Sequence, residues 1–410
     1  MSDATRLISV KIGINAATST FGTEPAAYVP IIPRAEVPSL FPRVREHISR
    51  AALQTVDGRL LPPLLGNKDL SDITLPVELS GVNDNTGAAV ADWEAKLDIG
   101  KVLVAAFGAV APATVGATTA CSGAAGAVLT LVDGMNYPNL AVIRFANEDG
   151  EIFVRQIVAD GGTNTVTLDR AFTGTATGNA TRMAVYALVP SRTKNKDLWI
   201  DAEGMTDASA WRRIYKDCHC KSLQITVPDS GIVTLDAVFK PNDWIDDDKD
   251  TPAFVQPDAG SPIVTGGAAF YIGAVKKLFK SFALQVDFGF DPRPTPVGAN
   301  NVQGGDNVLM KSATFSFELF LGGDDGTIGD ISDDVAGVDL GDLQGDASVI
   351  GTPVTTQDIS LQVGTEVGAL WWARAPAAAC LAPVKSSGGY LVAETAATLT
   401  GAAPLYIAFG

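Results

Sequence analysis

The sequence predicts a mainly β fold built from more than one unit. Glycine and proline are abundant, with 41 and 23 residues, and both favour frequent turns. Apolar and polar residues alternate in several short segments, which is the pattern of strands with one buried face. The chain of 410 residues is longer than a typical domain, so several folded units are expected.

The N-terminal region, residues 1–50, is expected to be an irregular, extended arm. Its prolines are closely spaced, at Pro30, Pro33, Pro38 and Pro42. Proline disfavours helices and central strands. We expect this arm to cross a protein surface, and the surface of a neighbouring subunit is one that it can cover.

A strand followed by a helix opens the predicted core, which comprises residues 51–111 and 189–322. The strand is predicted from an alternating apolar face, formed by Ile73, Leu75, Val77 and Leu79. The helix is predicted in residues 86–108, with Gly100 as its stop signal. Its helical spacing is set by Val90, Trp93 and Leu97.

Three further segments of the core alternate clearly. The first covers residues 223–227 and, after a turn at 228–231, residues 233–239. The second covers residues 282–290, and the third covers residues 315–321. Strands with one apolar and one polar face are typical of antiparallel sheets, so we expect these segments to pair.

Residues 112–188 are predicted to form an inserted all-β module. Short apolar strands are separated there by Asp-Gly, Glu-Asp-Gly and Asp-Gly-Gly turns. Such turns at close, regular spacing indicate hairpins, and a small β-barrel is the expected outcome.

Residues 323–410 are predicted to form an acidic loop and a β-rich C-terminal appendage. From Gly322 to Asp346 the chain holds eight Asp and no Lys or Arg, which favours a solvated loop. The remaining residues are rich in short apolar segments.

The charge balance argues against a protein that grips nucleic acid. Lys and Arg number 30 against 46 Asp and Glu, a net charge of −16, and phosphate neutralisation requires clustered basic residues. The N-terminus does not resemble a secretory signal. The uncharged segment from Val102 to Val132 is interrupted by Pro112 and several Gly, so we expect a soluble protein rather than a membrane span.

Cys218, His219 and Cys220 raise the question of a metal or redox centre. A structural zinc site needs four ligands, commonly in two pairs, and the remaining Cys and His are isolated in sequence. In a strand, His219 would point away from both cysteines. We therefore expect the start of a strand at this position.

No catalytic residue, cofactor site or metal ligand is predicted. The chain lacks the nucleophile elbow, the phosphate-binding loop and the zinc-protease motif. The acidic runs at residues 243–250 and 324–346 do not match a known calcium loop. Solvated loops are expected there, with calcium binding as the alternative.

The segment that precedes Cys218 is basic and aromatic. Nucleic-acid contact is one interpretation of Arg212 and Arg213. We favour a turn of amphipathic helix at a protein interface, where Arg and aromatic residues are enriched, presenting Trp211, Ile214 and Tyr215.

The segment RRIYKDCHCKSLQITVPDSGIVTLDAVFKPNDW, residues 212–244, resembles a segment of bacteriophage tail tube (major tail) proteins. GNKDLSDITLPVELSG and WEAKLDIGKVLVAAFG resemble the early strand and the helix of that family. Inserted β modules similar to residues 129–172 are familiar in its larger members. The resemblance extends over residues 55–320 and is one of pattern.

The resemblance implies a tail-tube-type β-sandwich or barrel with one packed α-helix. Six subunits would form a ring, rings would stack into a hollow tube, and the polar face of long strands would line the lumen. The candidate lumen or inter-subunit residues are Ser222, Gln224, Thr226, Thr234, Asp236, Gln285 and Asp287. DNA would slide past this acidic face without specific binding.

The same resemblance implies a structural protein of the virion tail that is assembled in the host cytoplasm and is not an enzyme. Its partners would be further copies of itself and the tape measure, tail terminator and baseplate or tail-tip proteins. The N-terminal arm and the Asp-rich loop would contact stacked rings.

Two other classes of protein fit the composition. A capsid or capsid-decoration protein would share the acidity and the β content but would form shells or knobs. A surface adhesin or carbohydrate-binding module would need exposed aromatic platforms. Trp371 and Trp372 are the candidate residues for such a platform.

Overall fold

A computed structural model describes most of the chain and shows a mainly β protein. The described residues are 6–14, 25, 28–31, 45–48, 64–82, 99–107, 118–132, 137, 139–160, 164–188, 198–205, 210–247, 259–292, 306–308, 312–320, 356–381, 383–387 and 390–410. Within these residues lie 29 strands and one α-helix. The predicted fold class is therefore confirmed at the level of a mainly β chain.

One large sheet contains 17 of the strands, numbered in chain order. They are β1 (Arg6–Ile14), β2 (Val29–Ile31), β5 (Ile73–Glu78), β13 (Ala184–Leu188), β14 (Leu198–Met205), β15 (Ala210–Val227), β16 (Thr234–Lys240), β17 (Asp243–Asp247), β19 (Ala269–Ile272), β20 (Val275–Lys277), β21 (Phe279–Asp287), β24 (Ser312–Phe320), β25 (Gln357–Val363), β26 (Trp371–Leu381), β27 (Val384–Ser387), β28 (Tyr390–Leu399) and β29 (Leu405–Phe409).

The other strands form a closed barrel and three short pairs. The barrel consists of β7 (Thr118–Ser122), β8 (Gly126–Leu131), β9 (Val142–Asn147), β10 (Ile152–Asp160), β11 (Thr165–Phe172) and β12 (Ala176–Arg182). The pairs are β3 (Arg45–Ile48) with β4 (Leu64–Lys68), β6 (Ser80–Val82) with β18 (Ala259–Pro262), and β22 (Phe290–Pro292) with β23 (Asp306–Val308).

The alternating segments form the centre of the large sheet. Antiparallel pairing runs in the order β5, β16, β15, β21, β24, β28 and β26. Leu75, Ala237, Leu223 and Val286 stand opposite one another in a single row of this sheet. All four are fully buried. The predicted strands in these segments, and the hairpin that turns at residues 228–231, are confirmed.

The helix α1 (Gly100–Phe107) lies inside the body, the name used here for the large sheet and its helix. All its residues except Lys101 are buried, which fits a helix that is apolar on nearly every side. Phe107 packs against Tyr186 and Phe288, with ring centroids 6.1 and 5.9 Å apart.

The predicted role of Gly100 as a helix stop is wrong, because this residue begins the described helix. The apolar run that follows it is helical since the surrounding strands bury it, and packing outweighs the low helix propensity of one glycine. The predicted helical residues Val90, Trp93 and Leu97 lie outside the described residues.

The barrel has an interior of its own, separate from that of the body. Aromatic rings fill it, with Phe145 edge-on to Phe172 at 5.0 Å and tilted against Phe153 at 5.7 Å. The β9–β10 turn is held by Asn147, whose Oδ1 accepts from the N–H groups of Asp149 and Glu151. The predicted module 112–188 also included β13, which instead pairs with β29 in the large sheet.

The expectation of an irregular N-terminal arm is wrong for the described part of residues 1–50. β1 pairs with β14, and Val10 and Ile12 are buried in the core of the body. In β1 the alternation of apolar residues outweighs the effect of the prolines elsewhere in this region. Pro30 lies in the short strand β2, which pairs with β1 alone among the described strands.

The C-terminal strands are not an appendage. β25, β26, β28 and β29 are inner members of the large sheet, and their apolar residues belong to its core. β29 is buried along its whole length, because one face covers the body core and the other faces the barrel. Burial on both faces gives a continuous apolar run without the alternation that identified the earlier strands.

Candidate functional site

The seven polar residues proposed from the sequence lie together on one face of the large sheet, here called the polar face. Asp236 stands opposite Gln224, which stands opposite Gln285 on the next strand. In flanking rows, Thr234 faces Thr226 and Ser222 faces Asp287. All seven side chains are exposed or half-buried, whereas their neighbours in sequence point into the core.

The polar face continues onto the neighbouring strands. Gln285 stands opposite Thr314, and Thr314 stands opposite Thr398. Further polar members on these rows are Thr74, Glu78, Ser312 and Ser316, and the adjacent row adds Glu318 and Glu394. The result is a surface six strands wide, from β5 to β28, composed mainly of hydroxyl, amide and carboxylate groups.

The charges on this face are predominantly negative. Glu318 stands directly opposite Glu394, a pairing of like charges that disfavours the sheet locally. Lys280 partly compensates, with its Nζ atom 3.4 Å from Oε2 of Glu318. Chemically, such a face is well hydrated and repels phosphate groups.

Cys218, His219 and Cys220 lie within β15, so a strand at this position is confirmed, although it begins earlier than predicted, at Ala210. Both cysteines are buried in the body core, and neither forms a disulfide. Among the described residues, no group of three His, Cys, Asp or Glu side chains is arranged to hold a metal ion.

The predicted helical turn around Ile214 and Tyr215 is wrong, because these residues belong to the 18-residue strand β15. β15 pairs with β14 on one side and β17 on the other, and this pairing imposes an extended backbone. Arg213 lies over the Trp244 ring at 4.2 Å, and its Nε atom donates to Asp246 at 2.6 Å.

Two acidic runs were predicted to be solvated loops. The prediction for the first run, residues 243–250, is wrong in part, because residues Asp243–Asp247 form the strand β17. The second, residues 324–346, lies outside the described residues.

Trp371 and Trp372 are at most 1% exposed, so they do not form a surface platform for a carbohydrate.

The junction between the barrel and the body holds a buried ionic cluster that the sequence reading missed. Arg374 of β26 donates to both carboxylate oxygens of Asp358 at 2.6–3.2 Å and to Oε1 of Gln156 in the barrel at 2.7 Å. Its Nε atom lies 3.7 Å from Asp169 of the barrel, whose side chain is completely buried.

Burial and the neighbouring charges shift the pKa values of this cluster. Burial raises the pKa of Asp169 above its usual value, against the opposing charges of Arg374, Arg155 and Arg170. Burial lowers the pKa of Arg374, but its hydrogen bonds to Asp358 and the nearby carboxylates outweigh that effect and raise the pKa overall.

One signal in the sequence points to this cluster. Within the barrel, Arg155 follows Phe153 and precedes Ile157 on the same strand face, and Arg170 stands between Leu168 and Phe172 in the same way. An arginine at an otherwise apolar inward position indicates a buried charge, which requires a partner. Arg374, which donates to the neighbouring Gln156, is 218 positions away in sequence, and only the tertiary fold brings it there.

No protein-family model matches the chain, and no curated protein sequence matches it significantly. Across the described residues, the α-helix is too short to cross a bilayer.

Proposed function

We propose that the protein is a structural virion subunit that assembles into stacked hexameric rings and forms the tube of a phage tail. The single observation that supports this most is the continuous polar face, which contains all seven residues expected to line a lumen. A conduit for DNA needs a wall that is hydrated and does not bind phosphate.

The charge of the chain supports the same proposal. A net charge of −16 keeps a polyanion from adhering, so DNA would slide through rather than stall. Behind the polar face, the sheet is packed on a large apolar core, which would keep the wall rigid. The further partners in this proposal are the tape measure, tail terminator and baseplate or tail-tip proteins.

Negative-stain electron microscopy over a range of protein concentrations tests this proposal, read beside the mass in solution. Six-fold rings or hollow tubes are expected. Closed shells or a stable trimer would contradict the tube and favour the capsid or decoration protein. If the protein stays monomeric, assembly should be repeated with a tail-tip complex as the initiator, and failure there would also contradict the proposal.

A further inference from the structure

The barrel rests on the body through an apolar contact. Val142 and Val154 of the barrel pack against Leu370, Trp372 and Tyr406 of the body in one buried cluster. An apolar contact of this kind is non-directional. By itself it would let the barrel rotate or slide on the body.

A side chain of the body also replaces a strand partner for the barrel. Oε1 of Gln362 accepts from the N–H of Val154 at 3.0 Å, and Nε2 of Gln362 donates to the carbonyl of Ile152 at 2.9 Å. Both backbone groups belong to β10. These two bonds fix the position of β10 along the surface of the body, because hydrogen bonds are directional.

Each unit then sends one arginine into the other. From the body, Arg374 reaches Gln156 and Asp169 while Asp358 holds it in place. From the barrel, Arg170 donates to Oγ of Ser360 at 2.7 Å and to the carbonyl of Gly273 at 2.8 Å.

The ring of Tyr271 closes the same site. The guanidinium of Arg170 lies over it at 4.2 Å, and that of Arg155 lies 5.6 Å from its centre. Arg170 and Arg374 are both at least 92% buried. Buried charges are tolerated only where geometry satisfies them, so few orientations of the barrel meet these requirements.

We infer that Gln362 and the reciprocal pair Arg170 and Arg374, together called the latch, hold the barrel in one fixed orientation on the body. The barrel is then a rigid part of the molecule and moves with the polar face as one unit. It does not act as a mobile binding arm. This inference stands on the junction alone and does not depend on the proposed tube.

Distance measurements between two spin labels test the latch. Cysteines replace Val158 on the barrel and Val264 on the body, which are 42% and 49% exposed. The four native cysteines are all buried, so they should not react under native conditions. The parent protein should give one narrow distance distribution.

The substitution Arg374→Lys keeps the charge but loses the two-pronged contact with Asp358 and the reach to Gln156. The single narrow peak should be lost in this variant. Arg213→Lys is the matched control, because Arg213 makes a similar two-pronged contact with Asp246 away from the barrel. That control should keep the narrow peak.

Hydrogen exchange in β11 shows whether the barrel is still folded in Arg374→Lys. If its protection is lost, Gln362→Leu serves instead, since it leaves every charge of the latch in place. A broad distribution in the parent protein would overturn the inference. So would a narrow peak that survives the latch substitution in a folded barrel.

Discussion

Single residues at the junction between barrel and body carry charges that are largely shielded from water. Arg374 has a side chain that is 10% exposed, and it serves two carboxylates and an amide. Its removal would leave Asp358 and Asp169 without their main cation. Breaking a buried pair by removing one partner is strongly destabilising.

We therefore expect Arg374→Met to lower the free energy of unfolding by about 3 kcal/mol. Lys280→Met is the matched control, because Lys280 pairs with Glu318 at 3.4 Å but is 40% exposed. It should cost about 1 kcal/mol, since a pair whose cation remains in contact with water contributes little. Urea unfolding monitored by tryptophan fluorescence measures the free energy of unfolding of both variants. Equal losses of stability would show that the difference in burial does not set the cost.

Asp169 gives a prediction for pH. Its pKa in the folded protein is raised by burial, so the folded state keeps the proton to a higher pH than the unfolded chain. The stability contributed by this group is complete below its unfolded pKa, about 3.9. That contribution is lost as the pH rises through the folded pKa.

The thermal midpoints of the wild type and of Asp169→Asn, measured between about pH 4 and pH 7, test this sign. Asn does not titrate, so the midpoint of the wild type minus that of the variant should fall as the pH rises. A difference that grows with pH would show that attraction to the three arginines exceeds the cost of burial.

At the scale of elements, the short pair β6–β18 touches the turn that precedes β26 through bare backbone. A Cβ atom on Gly260 would lie 2.0 Å from the carbonyl oxygen of Gly368, and one on Gly81 would lie 2.3 Å from the same atom. Only glycine permits three backbone segments to approach this closely.

Gly260→Ala should destabilise the protein by about 2–3 kcal/mol, because the new methyl group meets backbone that cannot move aside. Gly266→Ala is the control, since a Cβ there meets nothing within 4 Å. It should be neutral or stabilise by about 0.5 kcal/mol through the unfolded chain. Chemical denaturation measures the free energy of unfolding of both variants. If Gly260→Ala is as stable as the wild type, the close approach of the backbone segments is contradicted.

The elements also show what the sequence could predict. β5, β16, β21, β24 and the C-terminal part of β15 were predictable because one face is buried and the other is open, which leaves an alternating pattern. β26 and β29 were mistaken for an appendage because they are buried on both faces. Their apolar runs do not reveal which layer covers each face.

The polar face was predictable for the same reason as its strands. Alternation put Ser222, Gln224 and Gln285 opposite the apolar positions of their strands, and the resemblance to tail tube proteins made them lumen candidates. The structure adds that Gln224 and Gln285 share a row, with Ser222 and Asp287 in a flanking row. The latch was not predictable, because Gln156 and Arg374 are separated by 218 positions. No local pattern links residues so far apart.

At the scale of the whole molecule, arginine side chains lie in the interior of the barrel region and acidic side chains lie on its surface. The buried arginines contribute to stability, and the acidic surface repels other anions. All four arginines of the barrel strands are buried, and they are Arg144, Arg155, Arg170 and Arg182. At the β9–β10 turn, Glu148, Asp149 and Glu151 are exposed. The described outer surface of the barrel therefore offers little attraction to a polyanion, in agreement with the acidic polar face.

Chemical labelling of the assembled protein tests the central proposal most directly, namely that the polar face lines the lumen of a tube. A cysteine replaces Gln285 on the polar face, and a matched variant carries one at Thr167 on the outside of the barrel, both of which are exposed in the monomer. Each is treated with a maleimide attached to a large polymer before and after assembly.

The proposal predicts that Cys at position 285 reacts in the monomer and is protected in the tube, whereas Cys at position 167 reacts in both. A small maleimide that can diffuse along the lumen should still reach position 285. Equal reaction of position 285 with the large reagent before and after assembly would place the polar face outside and contradict the account.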